Sequence, residues 1–289
     1  MSGFDLDWLR LRSRFDEAAR APALSKRFAQ ELGPEPRLLE LGCGSGANLR
    51  HLAPQLGARQ SWLMLDSDEA LLAAVEPETR AWADQRGWLV AGRGGSAFLM
   101  EGEGREVTVS LRQADLAEEM DAVPWTEVDA VTGSALLDLT SGAWLDGLAV
   151  ALLGHRLRAL FVLGFDGRLR WRPTDPADRE IEQAFRRHQG GDKGFGPAKG
   201  PDATEYLGRA LRRPGWTVVS ATSDWRIAPP ERAMLEAMIG GVATAACEAE
   251  PGRAKGFRAW EASRLAQAVS GRTALVVGHV DLLVLPQAG

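Results

Sequence analysis

Cysteine is nearly absent from this chain: Cys43 and Cys247 are the only two in 289 residues. Two thiols cannot build a disulfide scaffold or a zinc site of several thiolates. Histidine is also scarce, with four copies, and no metal is expected. No apolar run reaches the roughly 18 residues of a membrane span. The opening stretch MSGFDLDWLRLRSRFDEAAR is charged throughout, unlike a signal peptide. A soluble, cytoplasmic protein with no membrane partner is therefore expected. Positive charge is not in excess either. A net charge of −5 argues against general nucleic-acid binding. Tyrosine occurs once against ten tryptophans. The tryptophans are scattered, and their expected role is to pack elements together.

Charge is unevenly spread. Between residues 155 and 200, ten Arg/Lys stand against six Asp/Glu, a net of +4, which leaves −9 for the remainder. This reads either as a site for an anionic ligand or as ordinary solvated helix faces.

The apolar spacing predicts helices over 4–32, interrupted near Pro22 and stopped at Gly33-Pro34-Glu35-Pro36. Strands are expected at Arg37–Leu41, Ser61–Asp66, near Val107–Leu111, at Val128–Thr132, Leu157–Gly164, Trp216–Thr222 and Ala274–Leu285, with helices between most of them. A hairpin inserted beside the third strand is expected near 88–106. A helical insertion is expected near 224–271. FDGRLRWRP, after Gly164, reads as a strand extension or a hairpin. The fold class is α/β: an open, mostly parallel, seven-stranded sheet with helices on both faces. Residues 1–36 would form a helical cap on a domain over 37–289.

The most informative stretch is Glu40-Leu41-Gly42-Cys43-Gly44-Ser45-Gly46-Ala47-Asn48, joining a strand to a helix. Glycines permit positive φ and let backbone amides approach a ligand closely. Gly42, Gly44 and Ala47 also satisfy the dinucleotide pattern G-x-G-x-x-A, so the glycines alone are ambiguous. Two details point elsewhere: the third glycine is Gly46, and the acid Glu40 precedes the first by two positions. A pyrophosphate would be repelled by that acid, whereas an ammonium would pair with it.

With these features the stretch resembles motif I of the class I S-adenosylmethionine (SAM)-dependent methyltransferases. The resemblance covers about residues 37–165, with the last two strands matching by pattern only. It implies SAM as cofactor. Glu40, Gly42, Cys43, Gly44, Gly46 and Asn48 would surround its amino-acid end. Asp66 and Ser67, at the end of the second strand, would meet the ribose, and Asp68 would cap the next helix. Asp115 and Leu116 would meet the adenine. Thr132 and Ser134, within the segment 129–138, would lie beside the sulfonium and the incoming substrate. That segment lacks the N/D-P-P-Y/F of amino-methylating DNA enzymes, and neither cysteine sits in the Pro-Cys of 5-methylcytosine enzymes.

Methyl transfer needs alignment and dehydration more than it needs catalytic groups, so substrate-side signals are sparse. Substrate residues are expected on loops at the carboxyl ends of strands. His188 is a candidate general base, or else part of a basic helix terminus. Asp166, Arg168, Lys193, Trp225 and Arg226 are candidate substrate contacts. His279, in an apolar strand, reads as a satisfied core histidine. In the N-terminal helix, Arg12 or Arg20 would meet a cofactor carboxylate, or else such charges make ordinary i,i+4 pairs, as between Asp16 and Arg20. The expected substrate is a small polar or anionic metabolite with an O- or N-acceptor. The alternatives are an RNA or protein methyltransferase using the 155–200 segment, an NAD-binding oxidoreductase, and a SAM-binding protein without chemistry.

Overall fold

A computed structural model describes residues 5–287; the expected helix start at Phe4 lies outside them. In chain order the elements are α1 (Leu6–Ala19), α2 (Pro22–Gln30), β1 (Arg37–Leu41), α3 (Ala47–Leu52), β2 (Arg59–Asp66), α4 (Glu69–Asp84), β3 (Leu89–Gly92), β4 (Ala97–Gly102), β5 (Arg105–Gln113) and β6 (Ala130–Ser134). Then follow α5 (Gly142–Gly154), β7 (Arg158–Arg172), α6 (Asp178–Gln189), α7 (Ala203–Leu211), β8 (Trp216–Thr222), β9 (Trp225–Ile227), α8 (Arg232–Ala249), α9 (Ala254–Val269) and β10 (Ala274–Pro286).

All ten strands join one open sheet in the order β3-β4-β5-β2-β1-β6-β7-β10-β8, with β9 also on β10. Strands β5, β2, β1, β6 and β7 pair in parallel. Strand β10 runs antiparallel to both β7 and β8, so β8 points with the parallel set. These are the seven expected strands. The count rises to ten because the hairpin near 88–106 hydrogen-bonds onto β5 as β3 and β4, and β9 prolongs the far edge. The hairpin covers what would otherwise be a bare β5 edge.

Side chains of a strand alternate between faces, and both faces here are apolar. On one face Leu38, Met64 and Val109 pack beneath α2, α3 and α4. On the other Leu39, Leu65 and Val131 pack beneath α5 and α7. A third core forms where α1, α6, α8 and α9 cover Leu169 and Trp171 of β7 and Leu275 and Val277 of β10. These four helices are therefore seated on an extension of the sheet, whereas α2 packs on the main sheet.

Strand β7 provides that extension: it continues past Gly164 to Arg172. Its pairing with β10 shifts register twice, opposite Gly278 and opposite Asp281. Such bulges re-aim side chains, and both bear on the site.

Candidate cofactor cradle and substrate cavity

The turn after β1 passes through Gly42 (φ 63°), Gly44 (φ 52°) and Gly46 (φ 81°), a left-handed path that a Cβ opposes. Two bonds fix it to the end of β2. Cys43 N donates to the Leu65 carbonyl at 2.9 Å, and Gly44 N donates to Asp66 Oδ2 at 2.7 Å. Asp66 Oδ1 accepts from Asp68 N at 3.0 Å. Burial raises the Asp66 pKa, and these amides partly offset it. Burial also pushes the Cys43 thiol up, which leaves it inert as a nucleophile. Asp68 caps α4 by accepting from Ala70 N and Leu71 N.

Beneath the turn lies an unsatisfied acid. Glu40 is fully buried, and neither carboxylate oxygen has a hydrogen-bond partner. Burial pushes its pKa to about 8; the nearby Arg20 charge and Asn48 amide offset only part of this. Arg20 comes from the end of α1 and is itself buried. Its Nη1 donates to Asn48 Oδ1 at 2.5 Å, while its Nε has no partner. Asn48 is oriented from behind: its Nδ2 donates to Thr132 Oγ1 at 2.8 Å, and that hydroxyl donates to the Leu160 carbonyl at 2.8 Å. Thr132 is thus spent on positioning Asn48. Asp16 pairs with Arg12, Oδ2 to Nε at 2.9 Å, rather than with Arg20 as the sequence suggested. Arg20 is thereby released toward the glycine turn.

The remaining cofactor candidates are placed as follows. Ser67 is exposed, and its carbonyl accepts from Gln113 Nε2 at 3.0 Å. Asp115 is exposed in a turn where its Oδ1 accepts from Ala117 N at 2.9 Å. Leu116 is buried, and its carbonyl accepts from Trp144 Nε1 at 2.7 Å. Ser134 is half-buried at the carboxyl end of β6.

Adjacent to the cradle is a cavity of about 400 Å³ bounded by α1, the segment after β6, β7, α6, α8 and β10. Two stretches serve both places. Helix α1 sends Trp8 and Arg12 to the cavity, while Leu9 Cδ1 lies 3.5 Å from where a Cβ on Gly44 would stand. The segment after β6 sends Ala135 and Asp138 to the cavity, while Leu136 Cδ1 lies 3.1 Å from a Cβ on Gly42. Most of the lining is apolar or aromatic, with five polar side chains: Arg12, Asp138, Gln189, Lys193 and His279.

Two of these carry unpartnered polar atoms. Asp138 Oδ1 is shut off from solvent with no partner. Burial pushes that carboxyl to about 6, against the backbone amides of Asp138 and Phe165 and the Arg12 charge. His279 is 5% exposed with Nδ1 unpartnered. Burial first, then the Arg12 charge, lowers its pKa to about 3, so the ring is neutral. Arg12 itself is engaged: two nitrogens meet Asp16, and the guanidinium lies 4.8 Å above the Trp225 ring.

Of the substrate candidates, Lys193 and Trp225 line this cavity; His188, Asp166, Arg168 and Arg226 do not. His188 Nε2 sits 3.0 Å from Glu248 Oε2, and its Nδ1 is 3.3 Å from Lys193 Nζ, so both ring nitrogens are occupied. Asp166 and Arg168 lie in the strand extension, the first of the two readings of this stretch, but they do not line the cavity. They stand within β7, at the bulge over Gly278, where Arg168 bridges Asp166 and Asp224. Arg226 is exposed on β9 and faces a separate 270 Å³ cleft beside Phe15. The basic segment is likewise partly neutralised, with Arg187 paired to Glu250 and Arg168 to two aspartates. Asp138 and His279 were not among the candidates. Asp138 stood in the segment 129–138, but nothing in the sequence separated it from its neighbours. His279 is buried as expected but not satisfied, because the bulge that turns it toward the cavity depends on pairing with a distant strand.

No family model matches the chain, and no curated protein matches it. Among solved structures it is similar to a SAM-dependent methyltransferase from Geobacter sulfurreducens in complex with S-adenosyl-L-homocysteine, at 17% identity over 100% of both chains with a TM-score of 0.45. It is also similar to a cyclopropane-fatty-acyl-phospholipid synthase-like protein from Lactobacillus casei, at 16% identity over 98% of this chain and 94% of that one, TM-score 0.47. A third is a SAM-dependent methyltransferase from Thiobacillus denitrificans, at 15% identity over 99% of both chains, TM-score 0.44. Among the described residues, no helix is long and apolar enough to cross a membrane.

Proposed function

We propose that this chain is a SAM-dependent methyltransferase acting on a small molecule held in the cavity beside the glycine turn. One observation carries the reading. Glu40, with both oxygens unpartnered, and Arg20, with Nε unpartnered, are buried side chains at a glycine turn. Burying an unpartnered polar group is costly, and such groups are retained where a ligand completes them. Together they complement an α-amino acid: the acid meets an ammonium and the guanidinium meets a carboxylate. Asp66, at the next strand end, then faces the nucleoside side, where an acid accepts from ribose hydroxyls. The glycines allow the left-handed path that brings the backbone of the turn over Glu40.

When bound, this cofactor supplies an activated methyl on a sulfonium. The contribution of the chain is to exclude water and to hold the acceptor in line. Helix α1 suits the first task, since it spans both cradle and cavity. The cavity suits the second, and its 400 Å³ lies within the range of small-molecule sites. A dinucleotide is disfavoured by the same acid, because a diphosphate has only acceptors and would oppose the ionisation of Glu40, whereas an ammonium donates to it and favours it.

The test is calorimetry with S-adenosylhomocysteine and NAD in parallel. Binding of the first and not the second is expected. NAD binding, or no S-adenosylhomocysteine binding at millimolar concentration, overturns the reading.

A further inference from the structure

The cavity also constrains what the methyl acceptor is. Phe165, Phe185, Trp8, Trp225, Met238 and Val242 make its walls apolar and largely aromatic. Its charged groups are poorly placed to hold an ion. Arg12 is neutralised by two bonds to Asp16. Lys193 stands 3.3 Å from His188 Nδ1, and burial lowers its pKa. An anionic substrate would thus lose its water in an apolar site against a single cation, Lys193, that burial disfavours and that is already hydrogen-bonded to His188, which is unfavourable. The unmet polar demand is of another kind: Asp138 Oδ1 is an acceptor with no donor, and His279 Nδ1 is a neutral ring atom with no partner. A buried acceptor left open costs on the order of a hydrogen bond, and a ligand bearing one O–H relieves that cost.

We infer that the cavity takes a flat, largely apolar alcohol or phenol, whose hydroxyl donates to Asp138 Oδ1. The specificity rests on the cavity alone; the chemical step rests on the methyl-transfer reading. In that step the substrate O–H bond breaks and its proton passes to the Asp138 carboxylate. The oxygen forms a bond to the methyl carbon of a sulfonium donor, and the carbon–sulfur electron pair returns to sulfur as a neutral thioether. A carboxyl held at about 6 by burial is ionised at neutral pH and ready to accept. Asp138 is then the acceptor-side residue, and His279 a second hydrogen-bonding position on β10.

The experiment measures binding by calorimetry without any nucleoside present. The probes are 2-naphthol, 2-methoxynaphthalene, which has no hydroxyl hydrogen, and 2-naphthoate, which is anionic. Wild type should bind naphthol most tightly and naphthoate least. Asp138→Asn should weaken naphthol about tenfold, the difference between a charged and a neutral acceptor, and leave methoxynaphthalene unchanged. A collapse of packing would weaken both apolar probes equally. The order of the three probes in wild type stands even if the variant fails to fold. Naphthoate binding more tightly than naphthol overturns the inference. So does indifference of naphthol to the substitution in a folded variant, or the absence of naphthol binding to a chain that binds S-adenosylhomocysteine. If S-adenosylhomocysteine fails to bind while the probe order holds, the methyl-transfer reading falls and the apolar-hydroxyl specificity is supported.

Discussion

The Asp281 carboxylate on β10 accepts a hydrogen bond from the backbone amide of Leu163 on β7 at 2.8 Å, and Leu163 sits at φ 58°. A left-handed leucine is unfavourable on its own. It persists because Asp281 fills the bulge and takes the freed N–H. The same carboxylate accepts from Ser223 Oγ at 2.6 Å and from Ala21 N at 2.8 Å, at the junction of α1 and α2. One fully buried side chain thus ties the cavity wall to the helix above it. Asp281→Asn retains the shape but turns an amide NH₂ toward donors. We expect a loss of about 2–4 kcal/mol in urea unfolding, the scale for breaking a buried charged hydrogen-bond set. A loss under ~0.5 kcal/mol would show that the bulge does not depend on this pin.

How far this arrangement was legible in the sequence depends on range. The glycine turn and the positions of Glu40 and Asp66 were legible because they follow from local geometry: a turn between a strand and a helix, and the end of the next strand. Strand β1 falls where the run Arg37–Leu41 predicts it, for the same reason. The cavity was not legible. Its shape depends on β7 running to Arg172 and bulging against a strand more than a hundred residues later. Whether Asp166 faces a loop or a lattice of ion pairs depends on Asp224 and Gly278, which no local window contains. His188 looked like a free base because its partner Glu248 lies on another helix.

Gly46 and Gly44 both adopt positive φ, yet their substitution by alanine should differ. A Cβ on Gly46 would stand 2.9 Å from Val75 Cγ1, and Val75 is fully buried and cannot yield. A Cβ on Gly44 would meet Leu9 at 3.5 Å, an ordinary contact. Gly44→Ala should cost about 1–2 kcal/mol from backbone conformation alone. Gly46→Ala should add an overpacking cost of roughly 1–3 kcal/mol. Adding Val75→Ala to Gly46→Ala in a double-mutant cycle should recover part of that second share and none of the first. Equal losses for the two alanines would mean that packing against α4 is irrelevant to the turn.

Glu40 makes ligand-free stability pH-dependent in a particular direction. Its pKa rises from 4.5 to about 8 on folding. Between those values the folded state holds a proton that the unfolded state has released, so stability falls as pH rises and levels off above about 8. His279, lowered from 6.5 to about 3, works oppositely but only below its unfolded value. The interval from pH 6.5 to 8 therefore isolates Glu40 from His279. Stability should decline there by roughly 1 kcal/mol per pH unit. Glu182, raised to about 7, and Asp138, raised to about 6, add a decline of the same sign below pH 7. Glu40→Gln, which keeps the neutral shape, should therefore flatten the curve between pH 7 and 8 and leave a residual slope below it. An equally steep decline in the glutamine variant would assign the titration to another group.

Arg20 should distinguish the two ends of the ligand. Its buried guanidinium is held to Asn48 at 2.5 Å, and Asp66 is bound to the Gly44 amide; under the proposed reading the first serves the amino-acid end and the second the nucleoside. S-adenosylhomocysteine carries both ends; 5′-methylthioadenosine lacks the amino acid. Arg20→Met replaces the guanidinium by an apolar chain of similar reach. Calorimetry should show weaker S-adenosylhomocysteine binding by about 1.5–3 kcal/mol, the scale for a hydrogen bond to a charged group, with methylthioadenosine unaffected. Asp66→Ala should weaken both ligands by about 1–3 kcal/mol, because ribose is common to them. The pattern matters more than either number. If Arg20→Met weakens both ligands alike, Arg20 holds α1 in place instead of reading the carboxylate. If Asp66→Ala spares methylthioadenosine, the acid at the end of β2 serves only the Gly44 amide, and the nucleoside must lie elsewhere.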